Sequence, residues 1–266
     1  MRYAEYPPSQ ALARVVDCYW ILEGRGTGVP EPIIPDGRIE IVLHYGVRFE
    51  RHHIGGAIER QPSSLIVGQM LAPICLGYRG TAGVAAIRLR PAAARAVVRG
   101  SAAEITNRAI DLEDIFGSTT TLRERLALAG DDAGRVRLLD AWLSSVVRDE
   151  PAPEIDAAVT AITASGGTAA LAAVAAAAGL GLRQLERRFL RDVGVAPKSF
   201  ARVVRLQSAL RQIAEGETLA DVAQGCGYYD QPHMTRDFSR LAETSPAAWR
   251  QYAGDLTQLF VLGGGR

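Results

Sequence analysis

The side chains with most chemistry to offer in this 266-residue chain are four histidines, three cysteines and a large set of arginines. One short stretch sets several polar side chains of different kinds on a single helix. In "GYYDQPHMTRDF", residues 227–238, Met234 and Phe238 lie four apart and can face a core, which leaves Gln231, His233, Thr235, Arg236 and, just beyond, Arg240 pointing elsewhere. Asp230 reads as the N-cap of that helix, and Pro232 falls in its first turn, where a missing N–H costs little. An amide, an imidazole, a hydroxyl and two guanidinium groups on one side of a helix need a polar partner. Elsewhere the reactive residues do not assemble. His44, His52 and His53 show no HxH or HxxxxE pattern, so no metal centre is expected. Cys18, Cys75 and Cys226 are scattered without a CxxC pair and read as small buried hydrophobes. With no Gly-rich phosphate loop, GxSxG elbow or Cys–His pairing, neither a catalytic residue nor a cofactor is expected.

The elements that must position these residues fall into two kinds. The composition, 48% hydrophobic and 22% charged, is that of a soluble globular protein long enough for two domains. No apolar run approaches the roughly 18 residues of a membrane helix, so no membrane partner and a cytoplasmic location are expected. Up to about residue 90, short apolar segments such as "DCYWILEG", "RIEIVLHYG" and "GVAAIRLR" alternate with turn signals such as "IIPDG", which predicts a small β-barrel or sandwich. From 91 to 150 the spacing turns helical. Val136, Leu139, Leu143 and Val147 form a stripe that either packs within its own domain or makes a dimer seam. The acidic, Pro-rich "DEPAPE" at 149–154 reads as a linker, 155–253 as an all-helical domain and 254–266 as a tail. Charge is uneven: residues 166–253 hold 11 Arg and Lys against 8 Asp and Glu, whereas 1–165 hold 18 against 20.

The helical domain contains itself twice. "LAAVAAAAGL" from Leu171 matches "LADVAQGCGY" from Leu219, offset by 48, and "LERRFLRDVGVAP" from Leu185 matches "MTRDFSRLAETSP" from Met234, offset by 49. Each copy reads helix, tight turn, helix. Ala175 and Ala223 permit close helix approach, Gly179 and Gly227 can take the positive φ of a sharp turn, and Leu185–Phe189 and Met234–Phe238 anchor the second helix. Between the copies "KSFARVVRLQSALRQIAEG" is a long amphipathic helix with Phe200, Val203, Leu206, Leu210 and Ile213 on its apolar side. It sets the separation of two second helices that could enter successive major grooves of B-DNA, roughly 34 Å apart.

In these residues, over about 155–252, the chain resembles the AraC/XylS family of bacterial transcriptional regulators. The resemblance implies a two-motif domain that binds double-stranded DNA sequence-specifically, the second helix of each motif being the recognition helix. It places the base-facing positions on Arg183, Glu186 and Arg187 in the first motif and on Gln231, Pro232, His233, Thr235 and Arg236 in the second. Arg187 and Arg236 are equivalent across the repeat and suit guanine O6/N7, Gln231 suits adenine N6/N7, and Glu186 can accept from cytosine N4. Arg188, Arg191, Arg202, Arg205 and Arg240 are assigned to phosphate. The chain departs from the family pattern at the Gly181 cap, at Glu243 where the first copy has Gly194, and at Pro232, which cannot hydrogen-bond a base.

The segments "RYAEYPPSQALARVVDCYWILEG", "IIPDGRIEIVLHYG", "LIVGQM" and "GVAAIRLRPAAARAVV" resemble a compact, cupin-like sensor domain often found ahead of this DNA-binding domain, followed by helices that mediate dimerisation. Trp20, Glu40, His44, Tyr45, Gln69, Tyr78 and Arg88 are the candidate pocket residues for a small-molecule effector. The expectation is therefore an α+β multidomain, ligand-responsive regulator that dimerises and contacts RNA polymerase. The alternatives are a constitutive regulator with a vestigial sensor, or a cupin-type metal enzyme fused to a DNA-binding domain.

Overall fold

Residues 1–251, with Leu256 and Thr257, are described by the structure, a computed structural model. Ten strands come first: β1 (Arg2–Tyr6), β2 (Val16–Thr27), β3 (Glu31–Ile33), β4 (Ile39–His44), β5 (Glu50–His52), β6 (Ile58–Arg60), β7 (Ser64–Val67), β8 (Ile74–Gly77), β9 (Arg79–Leu89) and β10 (Ala109–Asp111). They form a six-stranded antiparallel sheet in the order β1-β2-β9-β4-β7-β10 and a four-stranded sheet in the order β3-β8-β5-β6. The sheets do not close on each other, so the expected barrel or sandwich is a sandwich. Its tenth strand pairs with β7 from beyond residue 90.

The larger sheet is buried on both faces, which is why "CYWIL", residues 18–22, is a continuous apolar run. Trp20, Leu22, Val42, Val84 and Ala86 face the smaller sheet and pack with Phe49, Leu76 and Tyr78. Tyr19, Ile21, Ile41, Leu43, Ile87 and Leu89 face the other way, onto helices. Those helices are α1 (Ala94–Val97), α2 (Glu113–Phe116), α3 (Thr120–Leu128) and α4 (Asp132–Val146). Leu139 and Leu143 of α4 are fully buried there, with Val136 and Val147 packed alongside. The stripe is thus core, and its reading as a dimer seam does not hold. The opposite sides of α3 and α4 leave a groove lined by Leu122, Leu138 and Trp142, with Leu128 85% exposed at its edge.

Seven helices follow: α5 (Pro153–Ala164), α6 (Leu171–Ala177), α7 (Leu182–Val193), α8 (Pro197–Ala214), α9 (Leu219–Gly225), α10 (Gln231–Ala242) and α11 (Pro246–Trp249). Four of them carry proline in the first turn, the position where its fixed φ helps and its missing N–H is harmless. Two cores share this half. Ile155, Ile162, Leu185, Phe189 and Phe200 make the first, around α5–α7; Leu206, Leu210, Val222, Met234 and Phe238 make the second, around α8–α10. Both accept a side chain from the N-terminal half: Ala92 enters the first, Ile34 the second.

Candidate nucleic-acid interface

The two helix-turn-helix units repeat in detail. Gly179 and Gly227 both stand at φ 68°, and the residue after each closes the same bond, Leu180 N–H to Ala175 C=O and Tyr228 N–H to Ala223 C=O, each 2.9 Å. Leu185, Phe189, Met234 and Phe238 are all fully buried, which orients α7 and α10. Asp230 caps α10 by accepting from the His233 backbone N–H at 2.6 Å. Gly181 caps α7 with its backbone alone, and Gln184 Oε1 accepts from the Gly181 N–H at 3.1 Å.

The polar faces left over differ from residue to residue. Arg183, Glu186 and Arg187 on α7, and Gln231, Pro232 and Arg236 on α10, are exposed. Their side chains make no hydrogen bond or ion pair with any described residue. Thr235 and His233 are half-buried, and the His233 ring stands edge-on to Tyr228 with centroids 5.5 Å apart. Of the five arginines assigned to phosphate, four have partners within the chain. Arg188 pairs with Glu154, Arg191 grips Asp192 at 2.7 and 2.9 Å, and Arg202 holds Asp237 on α10. Arg205 donates to Gly167 C=O at 2.9 Å and lies over the Tyr228 ring. Arg240 is exposed and has no described partner. The connecting helix α8 has 18 residues, about 27 Å at 1.5 Å per residue.

In the sandwich, Trp20, Glu40, His44, Tyr78 and Arg88 lie on the interior side, where a cavity of about 70 Å³ is lined by Trp20, Glu40, Val42, Phe49, Gln61 and Leu76. Arg88, 1% exposed, is held by Glu40 at 2.9 Å and Glu5 at 2.8 Å. Trp20 Nε1 donates to the same Glu40 oxygen at 3.0 Å. His44 Nε2 lies 3.2 Å from Gln61 Oε1, and burial pushes its pKa down to about 4. Two candidates stand apart from this group. Tyr45 faces the helices, its hydroxyl donating to Glu23 at 2.8 Å and its ring under Arg135. Gln69 braces a loop, its Nε2 donating to Gly37 C=O at 2.9 Å. His52 and His53 do not converge on a metal site; among the described residues no group of three or more His, Cys, Asp or Glu is placed to hold an ion.

Residues 174–252 match the family model described as a helix-turn-helix domain, and residues 4–111 match one described as a domain of unknown function. The curated protein "HTH-type transcriptional regulator MtrA" of Neisseria gonorrhoeae is 34% identical over 80 residues, 30% of this chain and 27% of the relative. The chain carries an AraC/XylS-type DNA-binding domain. "HTH-type transcriptional activator RhaS" of Escherichia coli O139:H28 (strain E24377A / ETEC) is 29% identical over 133 residues, 50% of this chain and 40% of RhaS. The chain thus spans less than half the length of either relative. In three dimensions ToxT from Vibrio cholerae matches 87% of the chain and 98% of its own at a TM-score of 0.50 and 10% identity. That likeness is one of fold: a β-rich N-terminal domain followed by the AraC/XylS-type domain.

Sequence reasoning missed the residues that join the halves. Thr106 Oγ1 donates to Gly194 C=O at 2.6 Å and Arg95 meets Asp192 at 3.4 Å, both beside α7. "IIPDG" registered as a turn signal, yet Ile34 is 2% exposed within the second motif's core. An apolar pair ahead of Pro-Asp-Gly was the available cue. Nothing in it names the distant partner.

Proposed function

We propose that this protein is a sequence-specific, DNA-binding transcriptional regulator that responds to a small molecule held between the two sheets. The observation that supports it best is the contrast on the recognition helices. Arg187 and Arg236 occupy equivalent places in the repeat and have no partner among the described residues, while Arg188, Arg191, Arg202 and Arg205 around them are engaged within the chain. Two exposed guanidinium groups, each on the second helix of a helix-turn-helix unit, suit bidentate contact with guanine in successive major grooves. Arg183, Glu186, Gln231, His233 and Thr235 flank them as further base contacts, and Arg240 is the remaining phosphate contact. The effector would meet the Trp20, Glu40 and Arg88 end of the sandwich, and its differential affinity for two arrangements of the halves would set DNA affinity. The groove between α3 and α4 is the surface for a second copy, and the bound protein would act in the cytoplasm by contacting RNA polymerase.

Selection from a random duplex library at fixed salt tests the reading. The wild type is expected to enrich two short blocks about one helical turn apart. Arg187→Ala and Arg236→Ala should each erase preference in one block, at a cost of about 1–3 kcal/mol. Salt-sensitive binding with no enrichment would show a domain that holds phosphates without reading bases.

A further inference from the structure

The segment between β3 and β4 belongs to three places at once. Ile33, Ile34 and Asp36 line the sandwich cavity. Ile34 is also part of the second motif's core, with Leu206, Leu210 and Met234. Next to it the Pro35 C=O accepts from Gln207 Nε2 of α8 at 2.7 Å, and Gln207 is itself buried. Gly37, at φ +77°, lies against Phe200 of α8 so closely that a Cβ would sit 3.2 Å from its ring. At the other end of the segment Glu31 Oε2 accepts from the backbone N–H groups of Leu256 and Thr257, at 2.8 and 3.2 Å. Leu256, 2% exposed, joins the sandwich interior with Trp20, Val42 and Phe49. Each half of the chain thus lends an apolar side chain to the other's core, and residues 31–37 touch both.

We propose that residues 31–37 and Leu256 form a clasp that transmits the filling of the sandwich interior to the second helix-turn-helix motif. A molecule that reshapes the cavity must move Ile33, Ile34 or Asp36, because interiors are close-packed and do not absorb displacement locally. Ile34 and Pro35 carry that movement to α8. Arg202 of α8 holds Asp237 of α10, so the recognition helix follows. The first motif is held mainly elsewhere, by Ala92 in its core and by Thr106 and Arg95 beside α7, and meets the clasp where Phe200 lies against Gly37, so the clasp acts chiefly on the second motif and changes its stance against the first. The inference rests on the regulator reading for its purpose, though not for its mechanics.

Hydrogen exchange on the full-length chain separates the two. Ile34→Ser puts a hydroxyl into the second motif's core, and local opening there should speed amide exchange by about tenfold or more. The expected pattern is faster exchange in 31–37 and across α8–α10, with α5–α7 unchanged. Leu256→Ser should do the same in β3 and the sandwich interior as well as 31–37. Gln207→Leu, which removes one hydrogen bond and keeps the side chain's bulk, is the milder variant should Ile34→Ser fail to fold. It should raise exchange on both sides of the contact. Faster exchange confined to 31–37 overturns the proposal, because it marks a loop residue with local effects only. In a second arm the duplex selected by the wild type is added. Slower exchange in 31–37 of the wild type, lost in the Gln207 variant, supports transmission, since coupling between sites is reciprocal. Bound duplex with no change in 31–37 overturns the proposal while leaving the regulator reading intact. If no duplex binds, the regulator reading fails, and the first arm still decides whether the clasp exists.

Discussion

Asp36 and His44 titrate against each other inside one domain. Desolvation, followed by the nearby Glu40 charge, raises the Asp36 carboxyl to about 6, while burial lowers His44 to about 4 against the Gln61 hydrogen bond. The signs follow from which state binds more protons. A carboxyl raised on folding binds more protons native than unfolded, so its contribution to stability grows as pH falls from about 6 to 4. A lowered histidine binds fewer, so stability is lost as pH falls from about 6.5 to 4. Each shift corresponds to about 3 kcal/mol. In the wild type the two slopes oppose. His44→Gln should leave a protein that gains stability on acidification, and Asp36→Asn one that loses it. Urea midpoints between pH 5 and 7 measure both, above the range where the lowered carboxyls of Glu23 and Asp132 begin to protonate. Parallel pH profiles for wild type and both variants would contradict the assignment. At this scale the sequence was legible only where spacing is local. It separated Met234 and Phe238 from the polar face of their helix, but four of the five arginines it assigned to phosphate have partners 1 to 38 residues away. Nothing in the helical pattern marks such pairings.

The repeated motif is an experiment the chain has run on its own elements. The second helix of each motif ends in a left-handed residue, Gly194 at φ 96° and Glu243 at φ 51°. A non-glycine residue is strained there, so Glu243→Gly should stabilise the second motif by about 0.5–1 kcal/mol, net of the added unfolded-state entropy. The reverse change in the first motif should be worse than its φ alone implies. A Cβ on Gly194 would come 3.0 Å from both the Ala102 carbonyl oxygen and the Thr106 hydroxyl, in the contact with the N-terminal half. Gly194→Ala is therefore expected to cost more than Glu243→Gly gains, about 1–3 kcal/mol, with thermal midpoints giving both. A neutral Gly194→Ala would mean that the Ala102–Thr106 turn does not press on α7. The helix-turn-helix elements were legible because their signals, small residue, glycine and i,i+4 anchors, all fall within twenty residues. Sheet closure was not. Strand-length segments specify strands, but whether the edges of two sheets meet depends on twist and on pairings between distant residues, such as Ala109–Asp111 with β7.

At the scale of the whole molecule the linker at 149–154 was read as a boundary, yet the packing crosses it in both directions. Ala92 fills the first motif's core and Ile34 the second's, and both lie well before residue 149. Cutting there leaves two apolar hollows open to water. Burying an isoleucine side chain is worth about 1.5–3 kcal/mol, and the stability of a domain this size is about 5–15 kcal/mol. A fragment of residues 151–266 should therefore fold with a lower urea midpoint than the full chain, bind a hydrophobic dye that the full chain excludes, and exchange faster in α8–α10. Trp249 is the fragment's single tryptophan and sits against the second motif's core, so its fluorescence follows the motif that has lost Ile34. A midpoint equal to that of the full chain would mean that the N-terminal half is only tethered to the helical domain, and that Ile34 rests in a hollow the motif can close for itself. A lowered midpoint would make the N-terminal half a structural part of the helix-turn-helix domain. Any molecule that alters the sandwich interior would then act on α8 directly.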